Sequence, residues 1–173
     1  MSNTDEVIRA APVIAAARIV GIRLVEMQAV TRIRTPKEVP EGAAFDIMQD
    51  AKVGQGVSAD GLFGILATIG VRLQPSDAPP GSPLVDIRGT FELRYRIPEG
   101  LQVSDEDLGA FGRVNAVFNA WPYFREFVDA TMTRMHLPAL TLPLYRMPKI
   151  APDGTPQEAP SPRVKSPRAR QHH

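Results

Sequence analysis

Alternation of hydrophobic and polar residues predicts a series of β-strands in the first hundred residues. In residues 85–97 nearly every second residue is apolar and most of the others are charged, the pattern of a strand with one buried face. A strand predicted over residues 19–33 changes its apolar phase after Leu24, which indicates a β-bulge. A further strand begins near residue 45, and the Gly-Gln-Gly of residues 54–56 predicts a hairpin connection to the next one.

That next strand, over residues 57–73, is apolar on both faces. Ile65 and Ile69 lie on one face, while Leu62 and Leu66 lie on the other. A strand with two apolar faces is usually covered on both sides. Because a single layer of helices covers one face only, Leu62 and Leu66 predict an interface between subunits.

Helical segments flank the strands at both ends of the chain. A helix is predicted over residues 5–17. Ser104 precedes three acidic residues, the typical start of a helix, and this helix is predicted to reach Asn119. Pro122 fits the first position of another helix that ends near His136. This order predicts an α+β fold: a four-stranded antiparallel sheet with the N-terminal helix and two C-terminal helices packed on one face.

The last 26 residues differ in composition from the rest of the chain. Residues 148–173 hold six prolines, five basic and two acidic residues, and almost no large apolar side chains. Such a segment buries too little surface to offset its ordering entropy. We therefore predict one domain over residues 1–147 and a disordered, basic, proline-rich tail over residues 148–173. A proline-rich ligand for a partner domain is the alternative interpretation of the tail.

The residue inventory excludes several kinds of active site. The chain has no cysteine and three histidines, of which two are the last residues and only His136 lies in the body. Disulfides, cysteine nucleophiles and thiolate metal sites are excluded, and a histidine triad has almost no candidates. No phosphate-binding loop or dinucleotide fingerprint occurs. We expect a protein that is not an enzyme and that needs no cofactor or metal.

Charge and hydropathy limit the partners and the location. The net charge is +1 and the body is close to neutral, so we expect no large basic surface for nucleic acid. No apolar run approaches the roughly 20 residues of a membrane span. The N-terminal residues are acidic and polar and lack the layout of a signal peptide. These features predict a cytoplasmic protein.

Residues 118–142 resemble the SecB family of protein-export chaperones. The family pattern is an aromatic or apolar residue, Pro-Tyr, a variable residue, Arg-Glu, a helix, and then Pro-x-Leu-x-Leu. This chain supplies each element of that motif: Trp121, Pro122, Tyr123, Arg125, Glu126, Pro138, Leu140 and Leu142. General export members are markedly acidic. The near-neutral charge and basic tail resemble more the SecB-like chaperones of toxin–antitoxin systems.

The resemblance implies an ATP-independent holdase, a homotetramer built as a dimer of dimers, that binds non-native polypeptides in apolar grooves. Its clients would be unfolded preproteins awaiting translocation, or one dedicated antitoxin. Export members also dock the SecA motor through acidic residues on the outer face of the sheet. Here Asp86 and Glu92 alternate with Arg88, Arg94 and Arg96. SecA docking needs a patch of negative charge, and the arginines between the acidic residues weaken such a patch. This pattern argues against SecA binding.

Client contact is predicted along the apolar stripe of the two C-terminal helices, through the exposed parts of its side chains. The candidate residues are Phe111, Val114, Phe118, Trp121, Phe124, Val128 and Met132. For the tryptophan and the methionine, ordinary packing between helix and sheet is the alternative. A small-ligand or lipid carrier that uses the same groove is the alternative function.

Overall fold

Four long strands form one antiparallel sheet in the order β1-β4-β3-β2. The computed structural model describes residues 3–39, 44–74, 83–145, 149–150 and 156–157. The four strands are β1 (Arg18–Thr31), β2 (Ala44–Gln55), β3 (Leu62–Gln74) and β4 (Val85–Arg96). Because β1 and β2 lie at opposite edges, the connection between them crosses one end of the sheet. That connection contains a 3-10 turn at Pro36–Glu38.

The helices are α1 (Asn3–Ala16), α2 (Asp105–Phe111) and α3 (Val117–Arg134). A π-helical turn, Gly112–Ala116, joins α2 to α3 without a non-helical residue. The α+β fold with its four-stranded antiparallel sheet is confirmed. No helix within the described ranges is long and apolar enough to cross a membrane.

The bulge predicted in β1 is confirmed. The register between β1 and β4 shifts between Leu24 and Glu26, and shifts again between Ile19 and Gly21. Val25, the residue at which the apolar phase changes, is therefore an extra residue in the ladder. An extra residue turns the following side chains to the other face, which explains the change of phase.

The predicted hairpin connection at residues 54–56 is wrong by a few residues. Strand β2 continues to Gln55 and β3 begins at Leu62, so residues 56–61 form the connection. The register shifts between Val53 and Gln55, which places the first glycine of the predicted turn in a bulge. The turn itself needs Gly61, which has a φ of 75° and whose added Cβ would lie 2.4 Å from the Ile97 carbonyl oxygen.

The start of α2 is confirmed as a capping box at Ser104. Its hydroxyl oxygen accepts a hydrogen bond from the Asp107 backbone N–H at 3.2 Å. The Asp107 carboxylate in turn accepts one from the Ser104 backbone N–H at 3.0 Å. Two N–H groups that lack helical partners are thereby satisfied. The Ser104 hydroxyl also donates to the Asp107 carboxylate at 2.7 Å. This hydrogen bond and the one from the Ser104 N–H hold the pKa of the Asp107 carboxyl below its ordinary value.

The predicted break between residues 119 and 122 is wrong, because Pro122 lies inside α3. A proline within a helix removes one main-chain hydrogen bond and costs about 3 kcal/mol. The ring of Pro122 is exposed, whereas its neighbours Trp121 and Phe124 are buried against the core. Burial of two aromatic side chains offsets the local cost.

The helical layer covers part of one face of the sheet, which we call the inner face. Helix α3 packs against β2, β3 and β4. Helix α1 packs mainly against α2 instead of the sheet, through buried Ala10 and Val13. Arg113 Nε donates to Glu6 Oε1 at 2.7 Å and ties the π-helical turn to α1. β1 lies at one edge of the sheet, and most of its residues are exposed.

Helix α3 ends in a Schellman motif that reverses the chain. The Leu137 N–H donates to the Met132 carbonyl at 3.0 Å, and the His136 N–H donates to the Thr133 carbonyl at 3.0 Å. His136 takes the left-handed conformation with a φ of 55°. The chain then runs back along α3 toward Trp121, and we call residues 137–145 the strap.

Within the C-terminal segment, β5 (Lys149–Ile150) and β6 (Pro156–Gln157) pair with each other as antiparallel strands. The rest of residues 148–173 lies outside the described residues, so the disordered tail stays a prediction. We expect truncation after Met147 to leave the domain stable, since few apolar residues are removed. Thermal melts of the full and the truncated chain should overlap. A clearly lower midpoint for the truncated chain would show that the tail packs on the domain.

Candidate binding surfaces

Six of the seven predicted client residues belong to the buried core between the helical layer and the sheet. All except Phe118 are buried, and Phe111, Phe124 and Val128 have no exposed surface. The expectation of exposed parts on these three side chains is wrong, because the helix stripe is in full contact with the sheet. Phe118 is 40 % exposed and offers apolar surface to a partner. Its role in client binding stays a prediction.

Phe111 belongs to an aromatic cluster that attaches α2 to the sheet. Tyr95 stacks on Phe63 with ring centroids 5.3 Å apart, and Phe111 meets Tyr95 edge-on at 4.8 Å. Asn119 Nδ2 donates a hydrogen bond to Tyr95 Oη at 3.1 Å. Burial raises the pKa of Tyr95 to about 12, against a smaller lowering by this hydrogen bond. These contacts give Phe111 a structural role.

The SecB-like motif joins α3 to the strap. Trp121 Nε1 donates a hydrogen bond to the Pro143 carbonyl oxygen at 2.9 Å. Leu140 and Leu142 of the strap are buried at 3 % and 2 % exposure. The remaining members, Pro122, Tyr123, Arg125, Glu126 and Pro138, are exposed or half-buried. The buried members of the motif therefore hold the strap against the helix.

One uncovered apolar surface lies where the strap ends, and we call Phe118, Leu144 and Tyr145 the aromatic surface. The rings of Phe118 and Tyr145 are 6.2 Å apart, and Tyr145 also lies 5.4 Å from Trp121. Leu144 is 73 % exposed. Burial raises the pKa of Tyr145, and a side-chain hydrogen bond with Gln49 opposes the rise.

An open cavity of about 240 Å³ adjoins the aromatic surface through Tyr145. Its walls are Glu6, Gln49, Asp50, Ala51, Arg113, Val114, Val117 and Tyr145. The cavity is smaller than the roughly 300–1,000 Å³ of typical small-molecule pockets. It combines aliphatic side chains with the Glu6–Arg113 ion pair, so it suits one side chain of a larger ligand.

The second uncovered apolar surface is strand β1 itself. Its exposed large apolar residues, which we call the β1 strip, are Ile19, Val20, Leu24, Val25, Met27 and Val30. Met27 is the most open of them at 70 % exposure. On the inner face, Leu24 and Phe127 of α3 both approach Gly89, where an added Cβ would lie 3.4 Å and 3.5 Å from their side chains. A long edge strand with apolar residues on both faces is a surface for another chain.

The outer face of the sheet carries polar and charged side chains of both signs around Leu66. Arg72 pairs with Asp86 at 2.8 Å, and Arg23 pairs with Glu92. Leu62 and Leu66 are half-buried. Their role in a subunit interface stays a prediction. Among the described residues, no group of three or more His, Cys, Asp or Glu side chains has the geometry to hold a metal ion.

No protein-family model and no curated protein sequence matches the chain. A solved structure is similar: the SecB-like chaperone Rv1957 of Mycobacterium tuberculosis, in complex with a ChAD peptide from the HigA1 antitoxin. The TM-score is 0.69 and the identity 25%, over 82% of this chain and 99% of that one. A protein of unknown function from Streptococcus agalactiae gives a TM-score of 0.42 at 11% identity, over 73% of this chain and 96% of that one.

The four-stranded sheet with its strand crossover and the long C-terminal helix give this chain the fold class of the SecB-like chaperones. The resemblance predicted from residues 118–142 is confirmed. Within that class, the similarity to Rv1957 agrees with the predicted toxin–antitoxin branch.

The β1 strip and Tyr145 were not among the predicted site residues. The sequence shows that β1 is rich in apolar residues. The same alternation of apolar and polar residues occurs in strands that are covered and in strands that are exposed, so it does not predict that β1 is exposed. Tyr145 comes directly after the alternating leucines 140, 142 and 144, and this alternation predicts an extended segment but no binding site. Its place beside Phe118 depends on the reversal of the chain at His136.

Proposed function

We propose that the protein is an ATP-independent holdase that keeps non-native polypeptide segments from aggregating, with an antitoxin as its dedicated client. The observation that carries the proposal is the similarity to Rv1957, which was solved with an antitoxin peptide bound. The two uncovered apolar surfaces support it, because burial of apolar area is the driving force that a holdase offers to an unfolded chain.

The aromatic surface and the adjoining cavity are the proposed client site. Phe118, Leu144 and Tyr145 offer apolar area, and the cavity provides a recess for one client side chain. Full burial of a large apolar side chain contributes about 1.5–3 kcal/mol. Micromolar binding needs about 8 kcal/mol after the cost of association is subtracted, so several client side chains have to be buried together.

The β1 strip is the proposed basis of self-assembly into a homotetramer. It lies at a sheet edge, where a second copy can cover the apolar side chains and pair with the free backbone groups. Assembly and client binding then use different surfaces of the subunit. Such a protein acts in the cytoplasm by binding, with no catalytic step and no cofactor.

The proposal is tested by light scattering of an unfolding client, such as thermally unfolded citrate synthase. We expect aggregation to be suppressed at near one tetramer per client chain, with nucleotide and metal absent and a chelator present. Suppression should change little between low and physiological salt, because screening acts on charges and not on apolar contacts. Loss of suppression with rising salt would contradict an apolar mechanism and indicate charge-led recognition.

Native mass spectrometry separates this function from a small-ligand or lipid carrier. The holdase should capture unfolded polypeptide and carry no bound small molecule after purification from cells. A stoichiometric lipid or metabolite on the tetramer, together with no suppression of aggregation, would favour the carrier.

A further inference from the structure

Three arginines lie together at one end of the outer face of the sheet, and we call Arg18, Arg94 and Arg96 the basic corner. On β4, Arg94 and Arg96 alternate with Leu93 and Tyr95, which are buried on the inner face. Arg18 of β1 lies directly opposite Arg96 in the register. All three arginines are exposed. The basic corner therefore presents three cations on two neighbouring strands.

The carboxylates beside the basic corner already have partners. Glu92, on the same face of β4, pairs with Arg23. The charge of Asp60 interacts with that of Arg96, but its carboxylate also accepts a hydrogen bond from Ser58 Oγ at 2.5 Å. The four ion pairs among the described residues use other arginines. One shared carboxylate thus stands against three guanidinium groups, and positive charge is in excess.

The surface around the basic corner is flat and open. The neighbours of Arg94 in the register are Gly21 on one side and Gly64 on the other, so no side chain stands directly beside it. An added Cβ at Gly21 would meet no atom within 4 Å. Half-buried Leu62 lies opposite Arg96 on β3. A ligand on this surface meets cations and an apolar side chain on a flat floor.

Arg18 and Arg96 form an unfavourable pair within the sheet. Directly opposite residues have Cβ atoms about 4.5–5.5 Å apart, and like charges at such positions are destabilising. Both residues are exposed, so an uncharged polar residue at either position would serve the fold equally well. A local conflict that packing does not explain is expected at a functional site. A ligand with negative charge relieves the repulsion.

We propose that the basic corner binds an acidic segment of a partner protein, an extended chain with aspartate or glutamate at alternate positions. A guanidinium group binds a carboxylate through two parallel hydrogen bonds. Alternate side chains of an extended segment point to the same side about 7 Å apart, which is also the spacing of Arg94 and Arg96 along β4. The segment lies on the outer face, whereas the aromatic surface belongs to α3 and the strap. The protein therefore has a second binding surface that is separate from the proposed client site.

The neighbours of the basic corner favour a polypeptide over a nucleic acid. A nucleic acid carries a phosphate at every nucleotide, and its affinity rises with the number of phosphates that are neutralised. Three arginines neutralise few phosphates, and the nearby carboxylates of Glu92 and Asp60 repel the others. A peptide instead places its carboxylates on the arginines and an apolar side chain on Leu62.

Fluorescence anisotropy of the full chain with a labelled peptide of alternating glutamate and threonine tests the proposal. We expect the double variant Arg94→Gln and Arg96→Gln to bind this peptide about tenfold more weakly than the parent, because two of the three guanidinium groups are removed. The matched control is the double variant Arg32→Gln and Arg134→Gln. It removes the same charge from exposed arginines at the other end of β1 and at the end of α3, and should keep the parent affinity.

Two further measurements separate the basic corner from folding and from the holdase function. The thermal midpoint of Arg96→Gln should equal or exceed that of the parent, because the repulsion from Arg18 is removed. The double variant at Arg94 and Arg96 should suppress client aggregation as well as the parent does. Binding of the glutamate peptide should weaken from low to physiological salt, because the contact is between exposed charges.

The outcomes are distinct. Equal affinity of the parent and the double variant at Arg94 and Arg96 for the glutamate peptide would overturn the basic corner, as would equal binding of a peptide with glutamine in place of glutamate. Failure of the parent to bind the glutamate peptide would overturn it too and leave the holdase intact. A poly(dT) oligonucleotide that binds more tightly than the peptide, and loses affinity in the same variant, would make the corner a nucleic-acid site and overturn the assignment to an acidic segment.

Discussion

Replacing Phe124 with alanine should destabilise the domain by about 3–5 kcal/mol, the range for removing a buried aromatic side chain. Phe124 has no exposed surface and lies against Trp121 and Phe127 on α3. The cavity left behind cannot be filled, because the surrounding core is formed by long strands and a long helix. Urea denaturation followed by circular dichroism measures the loss, and the thermal midpoint should fall by about 10 °C or more.

Phe118→Ala is the matched control, since it removes the same atoms from the same helix six residues earlier. Phe118 is 40 % exposed, so its removal should cost about 1 kcal/mol or less. The Phe118→Ala variant should nevertheless lose affinity for an unfolded client, because it removes part of the aromatic surface. If both variants lost the same stability, the assignment of Phe124 to the core and of Phe118 to the surface would be wrong.

Phe124 and Phe118 show that helical periodicity alone does not predict which side chains are available to a client. The helical spacing correctly placed Phe111, Phe124 and Val128 on one face of the C-terminal helices. Whether that face is covered depends on how close the helical layer comes to the sheet. Gly112 permits this closeness, because an added Cβ would lie 3.2 Å from Ile65 and 3.4 Å from Ala51. The spacing of apolar residues along the sequence does not predict this distance between the helical layer and the sheet.

Local signals predicted the fold more accurately than the site. The alternation in β4, the bulge near Val25 and the helix start at Ser104 depend on neighbouring residues, and the structure confirms each of them. The predicted helix break at Pro122 was wrong. Whether a proline begins a helix or lies inside one depends on how the residues around it pack, and the local sequence does not show this. The strap depends on a chain reversal at His136, whose positive φ is uncommon for any residue other than glycine.

Met27→Asp should split the assembly without unfolding the subunit. Met27 is 70 % exposed in the single chain, so a carboxylate there meets water and costs the monomer little. In an assembly that covers the β1 strip, the same charge is buried without a partner, since the residue opposite Met27 in the register is Gly89. An unpaired buried charge costs several kcal/mol, enough to separate subunits at micromolar concentration.

Leu66→Asp tests the interface that the sequence predicted on the outer face. Its effect should be weaker, because Lys52 lies opposite residue 66 in the register and can pair with the new carboxylate, while the neighbouring Glu92 is already paired with Arg23. Gln102→Asp adds a carboxylate to an exposed loop and should leave the assembly unchanged. Gel filtration with light scattering gives the mass of each variant, and circular dichroism confirms that each is folded. A Met27→Asp protein with the parent mass beside a dissociated Leu66→Asp protein would move the interface from β1 to the outer face, and β1 would then be free to bind clients.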